Sequence, residues 1–179
     1  MNLKIRKGVK QDAKGVVEVN TYTWLTTYKG IMPEEVLKNR VKTMEQRIPK
    51  VEKSIIEDDN LYVAVDDERV VGIITYGKSR NEKYLDSGEV YSIYVLDEYQ
   101  GLGLGKKLFL TGINELIDKG YNSMIVDVVD GNKTIHFYEK FGGENVEDRI
   151  DEFGTSKITE HIMFFNDLKN IYNTFADML

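Results

Sequence analysis

The spacing of apolar positions changes several times along the chain, and each change predicts a different element. Alternating apolar and polar residues, and short runs of β-branched or aromatic residues, are typical of strands. Such segments occur at residues 3–6, 60–65, 70–76, 88–95, 124–129, 144–150 and 157–165. Apolar residues three or four positions apart are typical of helices. This spacing occurs at residues 12–19, 34–56, 104–119, 132–141 and 166–179.

Glycine, proline and acidic residues mark where these elements should end. Residues 66–69, Asp-Asp-Glu-Arg, predict a hairpin turn between two strands, and Gly120 predicts the end of the preceding helix. Pro49 predicts an interruption of the second helix. Residues 23–33 break the helical pattern with a glycine and a proline. No internal repeat or linker separates the elements, which therefore predict one α+β domain.

The end of the chain carries apolar residues on one face of a helix. They are Leu168, Ile171, Tyr172, Phe175 and Met178. This face can pack on the body of the protein, or it can form a subunit contact in a homodimer. We predict the first arrangement, with a domain at 1–165 and a C-terminal helical extension at 166–179 packed on it.

Composition and charge exclude several classes of function. The formal net charge of −6 argues against nucleic-acid and anionic-membrane binding, which favour a basic face. The chain has no cysteine, so disulfides, thiolate metal sites and a cysteine nucleophile are excluded. The two histidines, His136 and His161, leave a zinc site with carboxylates open, but we predict no metal. No segment resembles a signal peptide or a membrane span, so we expect a soluble, cytoplasmic protein.

A glycine-rich turn between a predicted strand and a predicted helix carries the strongest chemical signal. Gly101, Gly103 and Gly105 leave backbone N–H groups uncovered near the start of the helix, where they suit a phosphate group. A Walker loop does not fit, because Gln100 and Lys107 occupy its first-glycine and Ser/Thr positions. A dinucleotide fingerprint does not fit either, because the spacing is G-x-G-x-G. A plain strand-to-helix turn is the remaining alternative.

The turn and the strand before it resemble one known family. Gln100-x-x-Gly103-x-Gly105, after a strand that ends Ile-Tyr-Val, resembles the acetyl-CoA signature of the GNAT (Gcn5-related N-acetyltransferase) superfamily. The resemblance implies that the strand end pairs with the pantetheine arm and that the turn holds the pyrophosphate. The cofactor-binding residues it implies here are Ile93, Tyr94, Val95, Gln100, Gly101, Leu102, Gly103, Leu104, Gly105 and Lys106.

A second segment with Asn132, Tyr138 and Gly142 resembles the family's other cofactor motif, although Ile135 stands where the family usually has a small residue. The resemblance implies that Asn132 bonds to the pantetheine; as a helix N-cap it would serve a structural role. It implies that Tyr138 contacts the cofactor and protonates the departing thiolate. An ordinary buried aromatic is the alternative for Tyr138.

A general base is suggested on the strand before the turn. Glu89 stands where the histone-acetylating branch of the family carries its basic glutamate. Alternation along a straight strand would place Glu89, Tyr91, Ile93 and Val95 on one face, with Glu89 directed toward the substrate side. A solvated carboxylate at the strand end is the alternative.

The acceptor side is suggested by aromatic residues. Trp24, Tyr28 and the Gly-Ile-x-Pro sequence after them resemble a segment of some bacterial members of the family. The resemblance implies that this segment borders the acceptor, so Trp24, Tyr28 and Tyr91 are the candidate substrate-binding residues. Core packing is the alternative for Trp24 and Tyr28.

The resemblance also implies the fold and the reaction. The expected fold is α+β, with a central, mostly antiparallel mixed sheet of six to seven strands and helices on both faces. The expected activity is transfer of an acetyl group from acetyl-CoA, as co-substrate, to a primary amine by direct attack in a ternary complex. The acceptor stays open among small-molecule and peptide amines. A non-catalytic acyl-CoA sensor and an enzyme for longer acyl-CoA substrates are the alternatives.

Overall fold

Seven strands form one mixed sheet in the part of the chain that the computed structural model describes, residues 1–153 and 156–176. The strands are β1 Leu3–Lys7, β2 Leu61–Asp66, β3 Arg69–Lys78, β4 Gly88–Val95, β5 Met124–Val129, β6 Glu144–Phe153 and β7 Ser156–Phe165. The helices are α1 Ala13–Thr27, α2 Glu34–Lys42, α3 Met44–Asp58, α4 Leu104–Asp118, α5 Ile135–Lys140 and α6 Leu168–Ala176. The strand order is β1-β2-β3-β4-β5-β7-β6.

Strands β4 and β5 form the one parallel pair among the described strands, and this pair is short. Gly88 pairs with Met124 and Glu89 with Ile125, where the register of the pair ends. From residue 90 onward β4 pairs with β3 alone. The sheet therefore has two parts that are joined at one end and diverge at the other.

Glycines allow helices to pack closely on both faces of the sheet. On one face, a methyl group at Gly112 of α4 would lie 2.5 Å from the Ile74 side chain of β3. On the other face, a methyl group at Gly15 of α1 would lie 2.8 Å from Val70. Close contact of these layers buries the apolar core and confirms the predicted fold class: a mixed sheet with helices on both faces.

Helix α6 continues the core beyond the last strand. Leu168 and Ile171 are buried, and the ring of Phe175 lies 4.6 Å from that of Phe141. These contacts are those of a helix packed on the domain. The division at residue 165 stays a prediction, and Met178 lies outside the described residues.

Two helix boundaries differ from those predicted. Helix α1 continues through Thr27, so the aromatic segment at 23–27 is helical. The break in the second predicted helix falls at Thr43, and Pro49 lies inside α3. Proline lacks an N–H group and gives up one hydrogen bond to the preceding turn, and α3 continues past this loss.

Candidate active site

A cavity of about 400 Å³ lies where β4 and β5 diverge, which is within the usual size of small-molecule sites. It brings together most of the predicted site residues: Tyr28, Tyr91, Ile93, Tyr94, Val95, Gln100, Gly101, Gly103, Leu104, Gly105, Lys106, Asn132 and Tyr138. Trp24, Glu89 and Leu102 lie outside its lining.

An irregularity in β4 corrects the predicted alternation. Thr75 pairs with Ser92 while Tyr76 pairs with Val90, so β4 carries one extra residue, Tyr91, at this point. Directly paired residues share a face of the sheet, and the extra residue reverses the alternation beyond it. Ile93 pairs with Ile74 on the α4 face, whereas Tyr91 reaches Gly77 on the opposite face. Glu89 and Tyr91 therefore share a face, but Ile93 and Val95 do not share it with them.

The glycine-rich turn holds the start of α4 at the mouth of the cavity. Gly101 and Gly103 have φ angles of 76° and 79°, a conformation that glycine adopts without strain. Apart from the adjoining residues and the backbone of α4, no described atom would lie within 4 Å of a methyl group on Gly101, Gly103 or Gly105. The Gln100 amide donates to the Val95 carbonyl at 3.0 Å and fixes the turn to the end of β4. The result is an open surface of backbone N–H groups at a helix N-terminus.

Tyr138 is a buried phenol in the cavity wall. Its ring packs against Phe109, with 5.6 Å between the ring centroids. Burial raises the pKa of Tyr138 above its ordinary value, and the neighbouring Tyr94 raises it further. The hydroxyl is therefore protonated at neutral pH, as a proton donor must be.

Asn132 forms a turn before α5, whose N-cap is Thr134 and not Asn132 as was considered, and it also lines the cavity. Its side-chain oxygen accepts a hydrogen bond from the Thr134 N–H at 3.0 Å, just before α5 begins. Burial raises the pKa of Tyr28 and Tyr94 raises it further, while Asn132, across the cavity lining, acts in the opposite direction. The structural role and a place at the cavity thus occur in one residue.

Aromatic residues of α1 meet β4 on the acceptor side. The Trp24 Nε1 donates to the Tyr94 hydroxyl at 2.9 Å, and the Trp24 and Tyr28 rings lie 4.6 Å apart. Tyr28 reaches the cavity, while Trp24 stands behind it. Trp24 therefore contacts the cavity only indirectly, through Tyr94 and Tyr28.

The Glu89 carboxylate forms an ion pair with Arg80. Its carboxylate accepts hydrogen bonds from the Arg80 backbone N–H at 2.7 Å and from the Arg80 guanidinium. The residue is 2% exposed, which differs from the solvated strand-end alternative. Arg80 also stacks on Tyr91, 4.3 Å from the ring centroid. Glu89 thus lies next to a cavity residue without lining the cavity itself.

Asp127 on β5 is a site residue that the sequence reasoning missed. It lines the cavity, and its Oδ2 accepts a hydrogen bond from Arg149 at 2.9 Å. Its Oδ1 is buried and has no hydrogen-bond partner among the described residues. Burial raises the pKa of Asp127, against the lowering effect of Arg149. A lone acidic residue in the apolar strand Met-Ile-Val-Asp-Val-Val was the available signal.

The described segments contain neither a candidate membrane span nor a candidate metal cluster. None of their helices combines the length and apolar character that a bilayer crossing requires. In residues 1–153 and 156–176, no group of three or more histidine, aspartate or glutamate side chains is placed to share a metal ion.

Comparison with known proteins shows which family the chain resembles. The model described as Acetyltransferase (GNAT) family matches residues 22–143. The "uncharacterized N-acetyltransferase YuaI" of Bacillus subtilis is 32% identical over 152 residues, which cover 84% of this chain and 86% of that protein. The fold is shared with PaiA N-acetyltransferase from Thermoplasma acidophilum in complex with coenzyme A, with a TM-score of 0.70 and 21% identity over 93% of this chain and 99% of that one. It is also shared with YncA from Salmonella typhimurium with acetyl-CoA, with a TM-score of 0.70 and 19% identity over 93% and 94% of the two chains.

Proposed function

The chain belongs to the GNAT family of acetyltransferases, and we propose that it transfers an acetyl group from acetyl-CoA to a primary amine by direct attack in a ternary complex. The observation that carries this proposal is the cavity between β4 and β5, which has an open glycine surface at one side and a buried phenol, Tyr138, in its wall. Solved relatives with the same fold hold coenzyme A or acetyl-CoA.

The residues present fit coenzyme A. The uncovered N–H groups from Gly101 to Lys106, with the positive end of α4, suit a pyrophosphate. Residues 93–95 lack a partner on the β5 side, so their backbone groups are available to a pantetheine arm in the manner of a missing strand. Asn132 contributes a side-chain amide to the same cavity.

The reaction needs two proton movements, and two side chains are placed for them. The amine nitrogen forms a bond to the acetyl carbonyl carbon as the carbon–sulfur bond breaks. We assign the amine's proton to Asp127, whose free Oδ1 and raised pKa suit a general base. We assign protonation of the departing thiolate to the Tyr138 phenol. Glu89 is the second candidate base, through water, as the family resemblance suggested.

The test combines a binding measurement with a rate measurement. Isothermal titration of the purified protein with acetyl-CoA should show saturable binding that ATP and NAD do not reproduce. Thiol release in the presence of a panel of primary amines should then detect transfer. Selective binding without transfer to any amine would favour the acyl-CoA sensor. Absence of acetyl-CoA binding by a folded protein would contradict the proposal.

A further inference from the structure

Two arginines near the acceptor side have no carboxylate partner within the described part of the chain, whereas each of the other arginines has one. Arg40 of α2 and Arg47 of α3 both donate to the side-chain oxygen of Asn20 on α1. Neither forms an ion pair with a carboxylate among the described residues. The paired arginines are Arg6, Arg69, Arg80 and Arg149.

The two guanidinium groups use only some of their N–H groups in hydrogen bonds. Arg47 also donates to the Thr21 hydroxyl and to the Arg40 carbonyl, but the Nε atoms of both arginines are buried without a hydrogen-bond partner in the described structure. Burial lowers the pKa of Arg40 to about 10, with a further contribution from the Arg47 charge. Arginine side chains keep their charge at neutral pH in proteins, so both groups are positive. Two partly buried positive charges without a counter-charge are costly, and a bound anion would offset that cost.

The arginines stand next to the candidate active site. The Arg40 guanidinium lies 3.7 Å from the ring centroid of Trp24, whose indole N–H donates to Tyr94 in the cavity wall. Arg47 lines a second cavity of about 210 Å³ between α1, α3 and the sheet. Ser92 of β4 lines both cavities, so the two adjoin at this residue. A small molecule bound at the arginines by one end would therefore lie next to the candidate active-site cavity.

The lining of the second cavity favours a carboxylate over a phosphate. Arg47 is its one charged lining residue, and the neutral polar atoms come from Asn20, Ser54, Asn60, Thr75 and Ser92. The remaining wall consists of valine, leucine and isoleucine side chains. A carboxylate presents two oxygens to a guanidinium in one plane and leaves an aliphatic group for the apolar wall. A phosphate would carry further charged oxygens toward that wall.

We propose that Arg47, in the wall of the second cavity, forms an anion site for the acceptor with the charge of Arg40 beside it, and that the acceptor is a small amine that carries a carboxylate, of the amino-acid class. This inference rests on the proposed acetyl transfer, because it names the substrate of the same site. The amine would face Asp127 and Tyr138, while the carboxylate would be held on the α1 side of β4.

Binding can be read at Trp24, which is the one tryptophan of the chain. Tryptophan fluorescence would be recorded with coenzyme A present while L-leucine, L-leucinamide, spermidine or inorganic phosphate is added. L-leucine should give a saturable change, and L-leucinamide should bind at least roughly 10-fold more weakly, since it lacks the charge-assisted hydrogen bonds. Arg47→Gln should remove this preference, and Arg40→Gln, which changes a charge beside the cavity, should weaken it. Lys38→Gln, on the exposed side of α2, is the matched control and should keep it.

Rates provide the second measurement. In Arg47→Gln, kcat/KM for L-leucine should fall roughly 10-fold or more while that for L-leucinamide changes less than about threefold and the KM for acetyl-CoA stays constant. Thermal unfolding would confirm that each variant is folded, and Arg47→Lys would keep the charge without the planar fork.

The two proposals fail in different ways. Acetylation of L-leucinamide or spermidine as efficient as that of L-leucine, with the arginine variants lowering all rates alike, would overturn the carboxylate site and leave acetyl transfer standing. Saturation by phosphate but not by L-leucine, or no change with any of these compounds, would also overturn the carboxylate site. Failure to bind acetyl-CoA would contradict the enzyme function, while the Trp24 titration would still report on the anion site.

Discussion

At the scale of single residues, burial decides which groups can move protons. Tyr138 has a raised pKa because its hydroxyl is buried beside Tyr94, so the hydroxyl keeps its proton at neutral pH and can donate a hydrogen bond to the sulfur as negative charge develops there. Removal of the hydroxyl in Tyr138→Phe should lower kcat by roughly 100-fold while the affinity for acetyl-CoA stays within about twofold. Steady-state rates and calorimetric titration measure the two quantities. Tyr22→Phe, at an exposed position of α1, is the matched control. Equal rates for wild type and Tyr138→Phe would end the acid assignment.

The two candidate bases differ in what already binds them. Arg80 occupies the Glu89 carboxylate, whereas Asp127 keeps one buried oxygen free. Asp127 acts as a base only when ionised, and burial raises its pKa above the ordinary value of about 3.9. The kcat/KM ratio of wild type to Asp127→Asn should therefore grow as the pH rises through that pKa and then level off near roughly 100.

Glu89→Gln is the matched comparison for Asp127→Asn, since each replaces a carboxylate by its amide. The wild-type ratio for Glu89→Gln should show no such rise, although loss of the ion pair with Arg80 should lower stability. The reverse pattern, with a pH-dependent ratio for Glu89→Gln and a flat one for Asp127→Asn, would move the base to Glu89.

At the scale of elements, substitutions in the glycine turn can change ligand binding, backbone strain, or both, depending on the glycine that is replaced. Gly103 has a positive φ, so any side chain there adds strain to the effect on the site. Gly105 lies in the first turn of α4 and has open space where a side chain would project. Gly105→Glu should therefore abolish measurable acetyl-CoA binding by placing a negative charge at the phosphate site, with no loss of stability.

The control for Gly105→Glu is Gly105→Ala. Alanine favours a helix over glycine by about 1 kcal/mol and adds no charge, so this variant should be at least as stable as wild type and should keep part of the affinity. Calorimetric titration and thermal unfolding check both variants. Unchanged affinity in Gly105→Glu would remove the start of α4 from the cofactor site.

The same elements show what the sequence can and cannot predict. The spacing of apolar residues and the positions of glycine and acidic residues predicted the hairpin between β2 and β3 and the glycine turn before α4. Both features depend on residues that are close in sequence. The reversal of side-chain alternation at Tyr91 depends on how β4 pairs with β3, and the residues of β4 alone do not predict that pairing. Asp127 was missed for a related reason, since its importance arises only where β4 and β5 diverge. Pro49 gave a false boundary because α3 continues past it, and the contacts of Val51 and Ile55 with the core lie beyond it in the chain.

At the scale of the whole molecule, the sheet consists of two parts joined by a short parallel contact. Gly88 and Glu89 make the β4 side of that contact, and the remainder of β4 borders the cavity. A coenzyme A molecule paired with residues 93–95 would bridge the two parts. It would bind the native protein and not the unfolded chain, so its binding free energy adds to the stability of the fold.

This coupling gives a prediction for the complete protein. Coenzyme A at about 100 times its Kd should add about 2.7 kcal/mol and raise the melting temperature by about 5–10 °C. Hydrogen exchange should slow at the amides of Ile93 and Val95, which alternate along β4 with the β3-facing amides of Tyr94 and Leu96 and so point toward the gap, where they would gain partners. ATP at the same concentration and the Gly105→Glu variant should show neither effect. A rise in melting temperature without protection of β4 would mean that coenzyme A binds elsewhere, because only a ligand between the diverging strands protects those amides.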